Sequence, residues 1–197
     1  MRNKLTVALA GGALATGAFV GQASAQMPAD TGNFNYNYAE GALVLQDRDS
    51  QDLVGPRAKG SVAFTRDIFG VAELNYLTDD VDITDLRAGA GYRLGVAPEL
   101  DFYGVASLVY QDFDNDFDDT GLGITLGTRY AVMADFEIAG EIRHTNMDDF
   151  DSTTDLAAQF LYGVAPNVEL LGELQLLDDG DDMFEDTGLA LGARYNF

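Results

Sequence analysis

Leu189-Ala190-Leu191-Gly192-Ala193-Arg194-Tyr195-Asn196-Phe197 is the last stretch of the sequence, and its alternation decides the fold. Leu189, Leu191, Ala193, Tyr195 and Phe197 are apolar, and the residues between them are small or polar. Side chains alternate across a β-strand, so this strand has one apolar and one polar face. Leu86 to Tyr92, Leu122 to Tyr130 and Leu156 to Tyr162 carry versions of the same pattern. A strand apolar on one face, polar on the other and ending in an aromatic fits the wall of a transmembrane β-barrel.

Working back from this strand, the chain from residue 65 divides into four similar units, 65–96, 97–132, 133–164 and 165–197. Each opens on a short turn: Thr65-Arg66-Asp67, Ala97-Pro98-Glu99, Met133-Ala134-Asp135 or Ala165-Pro166-Asn167. Each then runs up one strand, crosses an Asp-rich loop and returns to an aromatic. Residues 33–63 read as a first, divergent hairpin that ends at Phe64. Five hairpins predict an all-β, closed antiparallel transmembrane barrel of ten strands, with eight strands the alternative.

Parity assigns the faces. On rising strands Ala72, Leu74 and Tyr76 oppose Glu73 and Asn75, and Ile138, Gly140 and Ile142 oppose Glu137, Glu141 and Arg143. On falling strands Leu86, Ala88, Ala90 and Tyr92 oppose Arg87, Gly89, Gly91 and Arg93. The apolar set is expected to face lipid, because a charge there costs roughly 2–4 kcal/mol at the bilayer midplane. A water-soluble barrel would read the alternation inside out and leave the terminal aromatics unexplained. The first strand reads two ways: Phe34, Tyr36, Tyr38 and Glu40 share one parity, and Ala39, Gly41, Leu43 and Leu45 the other. Glu40 favours the interior, and Gly41 offers a bulge that would switch faces.

Composition agrees with export to a membrane. Arg2 and Lys4, the apolar and small-residue stretch 5–20, and Ala23-Ser24-Ala25 before Gln26 read as a cleaved signal peptide over residues 1–25, leaving a barrel domain at 26–197. Beyond it no apolar run approaches the roughly 20 residues of a spanning helix. There is no Cys, which excludes disulfides and thiolate chemistry. The 33 acidic against 11 basic residues give a net charge of −22, so nucleic acid is excluded as an electrostatic partner.

With its opening strand Asn35-Tyr36-Asn37-Tyr38-Ala39-Glu40-Gly41, the chain resembles small outer-membrane β-barrel proteins of Gram-negative bacteria, such as OmpX-like proteins and the membrane domain of OmpA. An N-Y-x-Y-x-E-G-like opening is closer still to a xanthomonad-type family of exported barrels. The resemblance covers residues 33–197 and implies the outer membrane as location, with lipid and lipopolysaccharide around the wall. It also implies that Leu189, Leu191, Tyr195 and Phe197 are a signal to the barrel-assembly machinery. OmpX and OmpA have eight strands rather than ten, and the resemblance is to the barrel of OmpA and does not extend to its peptidoglycan-binding domain.

Four groups of residues are candidates for chemistry. Nineteen Asp fall in the five expected loops, which the strand order makes extracellular. Among them Asp112, Asp114 and Asp116 have the spacing of the start of a Ca²⁺ loop, but Phe117 stands where such a loop needs Gly and no Glu closes it. A solvated acidic rim, bridged to lipopolysaccharide phosphates by loosely held divalent cations, explains them without a specific Ca²⁺ site. Glu40, Arg57, Lys59, Glu73, Arg87, Arg93, Arg129, Glu141, Arg143, Glu173 and Arg194 share the interior parity and form a charge network, joined by Glu137 and Glu169. That network reads either as ion pairs filling a plugged barrel or as the constriction of a narrow pore, with Gly89, Gly91, Gly123, Gly127, Gly188 and Gly192 leaving space. His144, the only histidine, has the parity of Ile142 and reads as interfacial rather than as a general base. Aromatics at the strand ends, Phe64, Tyr92, Tyr130, Tyr162, Tyr195 and Phe197, with Tyr76 and Tyr110 opposite, read as interfacial anchors. The expectation is a non-enzymatic barrel without a cofactor, structural or surface-interacting in role (envelope integrity, adhesion or host contact). The alternative is a small porin-like channel with a charged lumen.

Overall fold

A computed structural model describes residues 34–48, 51–79, 82–113, 117–148, 152–178 and 186–197, with only the backbone of 51, 113 and 117. The signal-peptide segment 1–25 and most of the Asp-rich loop tips lie outside these residues. Ten strands follow one another: β1 Tyr38–Arg48, β2 Gln51–Ala63, β3 Ile68–Leu77, β4 Ile83–Ala97, β5 Leu100–Phe113, β6 Phe117–Met133, β7 Phe136–Met147, β8 Thr153–Ala165, β9 Val168–Leu177 and β10 Asp186–Asn196. Each pairs antiparallel with its neighbours in sequence, and β1 pairs with β10 to close the barrel. The seam runs from Tyr38 opposite Asn196 to Asp47 opposite Thr187. No edge is left, which is the condition for strands to stand in hydrocarbon. Among the described residues no helix is long and apolar enough to cross a membrane.

The repeat in the sequence is a repeat in the backbone. Two-residue turns, Pro98-Glu99, Ala134-Asp135 and Pro166-Asn167, join β4 to β5, β6 to β7 and β8 to β9. Just before each turn the register slips by one residue, at Gly95/Ala97, Ala131/Met133 and Gly163/Ala165. The extra residue is Val96, Val132 or Val164, so one bulge recurs at one height and adds twist where each strand ends. In β1, by contrast, the register is continuous against both neighbours. The bulge considered at Gly41 is therefore absent. Tyr38 and Glu40 turn inward in one unbroken alternation with Val44, while Leu43 and Leu45 turn outward.

The outward face carries Leu43, Leu74, Leu86, Leu108, Leu122, Ile124, Leu126, Ile142, Leu170, Leu174 and Leu191 in the open. Soluble monomers rarely expose such a belt. Outward-facing strand residues with a charge are Asp47, Asp52, Asp112 and Asp118, all near the loop end. The aromatics Phe64, Tyr92, Tyr130, Tyr162, Tyr195 and Phe197 ring the turn end, each exposed by about half or more. The belt thus offers a hydrocarbon-facing band with an aromatic border. Leu108, 69 % exposed near the middle of β5, is the most open of these leucines. Leu108→Lys is expected to destabilise the barrel by about 2–4 kcal/mol. Equilibrium unfolding from lipid vesicles checks this, with Leu108→Met, which keeps an apolar side chain toward lipid, as the control for loss of the native residue.

Candidate functional site: the barrel interior

Inward parity brings the charged side chains to one place, and burial then decides what they do. A buried ion is tolerated only when paired and hydrogen-bonded. Lys59 on β2 reaches Glu141 on β7, with Nζ 3.3 Å from Oε1. In a ten-strand ring β2 and β7 stand on opposite walls, so this pair spans the interior. Arg143, also on β7, binds Glu141 at 2.6 Å and crosses to Glu73 on β3 at 3.3 Å. Glu73 lies 3.9 Å from Lys59. Lys59, Glu73, Glu141 and Arg143 therefore form a four-residue crossbar. The Tyr103 hydroxyl on β5 donates to Glu141 at 2.6 Å, which ties a further wall to it.

Two more clusters flank the crossbar. Arg57 on β2 donates two hydrogen bonds to Glu173 on β9, at 2.6 and 3.0 Å, in a bidentate pair. Glu173 also accepts from Gln159 and Gln175, so both its oxygens are occupied. Arg194 donates to Glu40 across the β1–β10 seam at 2.6 Å and to Gln159 at 2.9 Å. Toward the loop end Arg87 donates to Asp85 and, across to β7, to the Thr145 hydroxyl at 2.9 Å. All eleven residues expected in the network thus face the interior, most of them below a tenth exposed.

At the turn end the interior is closed by the chain itself. Residues 34–37 precede β1, and Phe34 and Tyr36 pack inside against Phe69 and Val105. Arg93 donates to the Phe34 carbonyl at 3.1 Å and Arg129 to the Asn35 carbonyl at 2.8 Å. The Arg129 guanidinium also lies 5.0 Å from the Phe34 ring centre and 4.9 Å from that of Tyr36, within cation–π range. Arg129 is held in turn by Glu137, at 2.6 and 2.9 Å. Arg93 lies 3.6 Å from the fully buried Asp101. Two cations of the network therefore serve as clamps on an aromatic plug.

The glycines read as spare room are occupied. A Cβ at Gly91 would overlap the Phe69 ring and one at Gly127 the Tyr103 ring, so these glycines are the holes into which the two aromatics fit. Apolar side chains fill more of the interior than the alternation suggested: Val44, Leu53, Leu77 and Ala190 form a buried cluster, and Leu161 and Leu171 are buried as well. What remains open in the middle is a cavity of about 60 Å³. Pockets for drug-sized ligands are several-fold larger, on the order of 300–1,000 Å³.

Other candidates stay apart from this network. Asp112 is exposed at the loop end of β5, and Asp114 and Asp116 lie outside the described residues. Among the described residues no group of three or more His, Cys, Asp or Glu is placed to hold a metal. His144 is on the outward face, with Nδ1 3.0 Å from the Thr154 hydroxyl. Leu189, Leu191, Tyr195 and Phe197 form one exposed row on β10 and just beyond it, and the Phe197 amide donates to the Asn37 carbonyl at 3.1 Å. Interior residues that the sequence reading missed are Asp85, Asp101 and Asp155, with Gln159. Their inward parity was visible, but Gln159 carries no charge and the three Asp were not separated from a chain rich in Asp.

Solved structures share this architecture at low identity. The NanC porin superposes with a TM-score of 0.55 at 13% identity, over 80% of this chain and 100% of that one. An outer membrane channel from Pseudomonas putida F1 gives 0.53 at 12% identity, over 87% and 99%. At such identities the likeness is one of fold. No curated protein matches the sequence. The sequence model of the outer membrane protein beta-barrel domain matches residues 6–197, and with the closed ten-strand barrel this places the chain in that family of bacterial outer-membrane β-barrel proteins.

Proposed function

We propose that this chain is a non-enzymatic outer-membrane barrel with a closed interior, whose acidic loop end is its working surface. The observation that carries the reading is the Lys59–Glu141 pair joining opposite walls, with Arg143 and Glu73 beside it. A solute path would have to part these pairs and the Tyr36 plug below them. Ten strands stand close to the eight at which side chains fill a barrel, far from the 16–18 of aqueous porins. The network is then interior packing, and the role is structural or surface-interacting: envelope integrity, adhesion or host contact.

Both termini of the described barrel lie at the turn end, which in this reading is periplasmic. The loops then face outward, where their carboxylates meet lipopolysaccharide phosphates through divalent cations. The exposed row Leu189, Leu191, Tyr195 and Phe197 is proposed as the signal to the barrel-assembly machinery. His144, outward and 3.0 Å from the Thr154 hydroxyl, is read as an interfacial side chain.

In planar bilayers the refolded protein is expected to give no steady conductance above background. Stable openings of uniform size would overturn the closed-interior reading in favour of a narrow channel. A packing role for the network also sets an energetic expectation. Arg57→Met leaves Glu173 buried without its cation and should cost about 3–5 kcal/mol in equilibrium unfolding. Glu173→Gln on that background should restore part of the loss. Equal stability of all three proteins would show that the pair carries no packing role.

A further inference from the structure

We infer that a trench on the outer wall, crossing β6 to β9, binds one acyl chain of the lipopolysaccharide anchor, with His144 at its headgroup end. The inference rests on the proposed orientation, in which the loop end faces outward. On the lipid face Thr128, Gly140 and Ala158 stand opposite one another on successive strands. One step nearer the loops the corresponding row is Leu126, Ile142 and Leu156. One step nearer the turns it is Tyr130, Ile138 and Phe160. A small-residue row between two bulky ones leaves a concavity of about 710 Å³ that extends to Leu174 on β9. That volume lies in the range of ligand pockets, on the order of 300–1,000 Å³. Beyond its chain neighbours, a Cβ at Gly140 would meet Thr128 Cγ2 first, at 3.8 Å. No neighbouring side chain therefore requires glycine there, whereas Gly91 and Gly127 admit aromatic rings. Glycine weakens a strand interior and marks the close approach of another group, here one from outside the wall.

Position and charge select the occupant. The trench lies inside the hydrocarbon band, between the aromatic border at Tyr130 and Tyr162 and the His144–Thr154 pair. Its filling is therefore hydrocarbon, and the head of the trench distinguishes one lipid from another. The next outward pair beyond Ile142 and Leu156 is His144 opposite Thr154, whose hydroxyl lies 3.0 Å from Nδ1. When that hydroxyl donates to Nδ1, Nε2 carries the ring proton and can donate to a phosphate oxygen. Among the described outward strand residues, His144 is the one with a basic nitrogen. Charges elsewhere on that face are Asp47, Asp52, Asp112 and Asp118, which repel a phosphate. Asp178, just past β9, turns an oxygen to the Thr154 amide at 2.9 Å. A phosphorylated lipid of the outer leaflet thus finds an apolar trench and a headgroup donor in one place.

The test titrates the refolded protein in detergent with lipid A and counts bound lipid by native mass spectrometry. One lipid A is expected to stay on each barrel at collision energies that strip phosphatidylglycerol. Gly140→Leu, which fills the trench and keeps the face apolar, should reduce retention to the level of phosphatidylglycerol. Ala88→Leu, on the outward face of β4, should leave it unchanged. His144→Ala should weaken binding about tenfold through loss of one hydrogen bond to a charged group, and His144→Gln should restore part of it. No retained lipid A, equal retention of phosphatidylglycerol, or full retention in Gly140→Leu would overturn the proposal. So would a dimer that Gly140→Leu dissolves, which would assign the trench to a second copy of the chain. Should the variants fail to fold, the unaltered protein in bilayers of lipid A with a photoactivatable acyl chain decides the matter. Adducts confined to β6–β9 support the site, and adducts spread evenly around the belt reject it. Conductance reads the interior and lipid retention reads the outer wall, so the closed-interior reading and this one fail separately.

Discussion

The constraint on which the structure depends is that hydrocarbon offers no partner for a backbone N–H or C=O. Pairing of β1 with β10 removes the last sheet edge, and with it the last unpaired row. Closure also fixes parity, because slipping a strand by one residue would turn its whole inward set to lipid. Once the seam is set with Glu40 beside Arg194, the basic residues of the other strands fall on the same side, and the charges left facing outward are Asp residues near the loops. Seven cations and their carboxylates are thereby taken out of bulk water together. Their pairing is a consequence of closing the wall.

That consequence determines what kind of barrel this is. Isolated buried charges are unfavourable, and a network in a low-dielectric interior is stable when each member is bonded. Here the bonds run between walls as well as along them. Lys59 with Glu141 draws opposite walls together, Arg143 with Glu73 ties β7 to β3, and Arg87 with Thr145 ties β4 to β7 nearer the loops. At the turn end Arg93 and Arg129 hold the backbone of residues 34 and 35, with the Phe34 and Tyr36 rings packed inside. Aromatic knobs seated in the Gly91 and Gly127 holes complete the filling. Neighbouring folds that carry the name porin or channel share the wall, whereas the contents of the wall belong to this sequence.

Much of this was legible in the order of the residues. Period-two alternation and the recurring turn gave ten strands, and parity gave the interior set, because both depend on near neighbours in sequence. Partnership was not legible: Lys59 and Glu141 are 82 positions apart, and no spacing rule links them. Leu53 and Leu77 were hidden by chemistry, as apolar residues on an inward parity that alternation reserves for polar ones. Asp85, Asp101 and Asp155 were hidden by company, in a chain where Asp is everywhere. The glycines misled for a physical reason. A missing side chain means either space or a neighbour that needs the space, and only the fold distinguishes the two.

The central claim is that the interior is closed between the plug and the crossbar. Ser107 lines the cavity there, and the chain has no native cysteine. The most direct measurement is the rate at which Ser107→Cys reacts with a charged, water-soluble thiol reagent in the folded, bilayer-embedded protein. The closed-interior account predicts negligible labelling until the barrel is unfolded, and rapid labelling once Lys59→Ala and Glu141→Ala remove the crossbar. Rapid labelling of the barrel with its crossbar intact would contradict it.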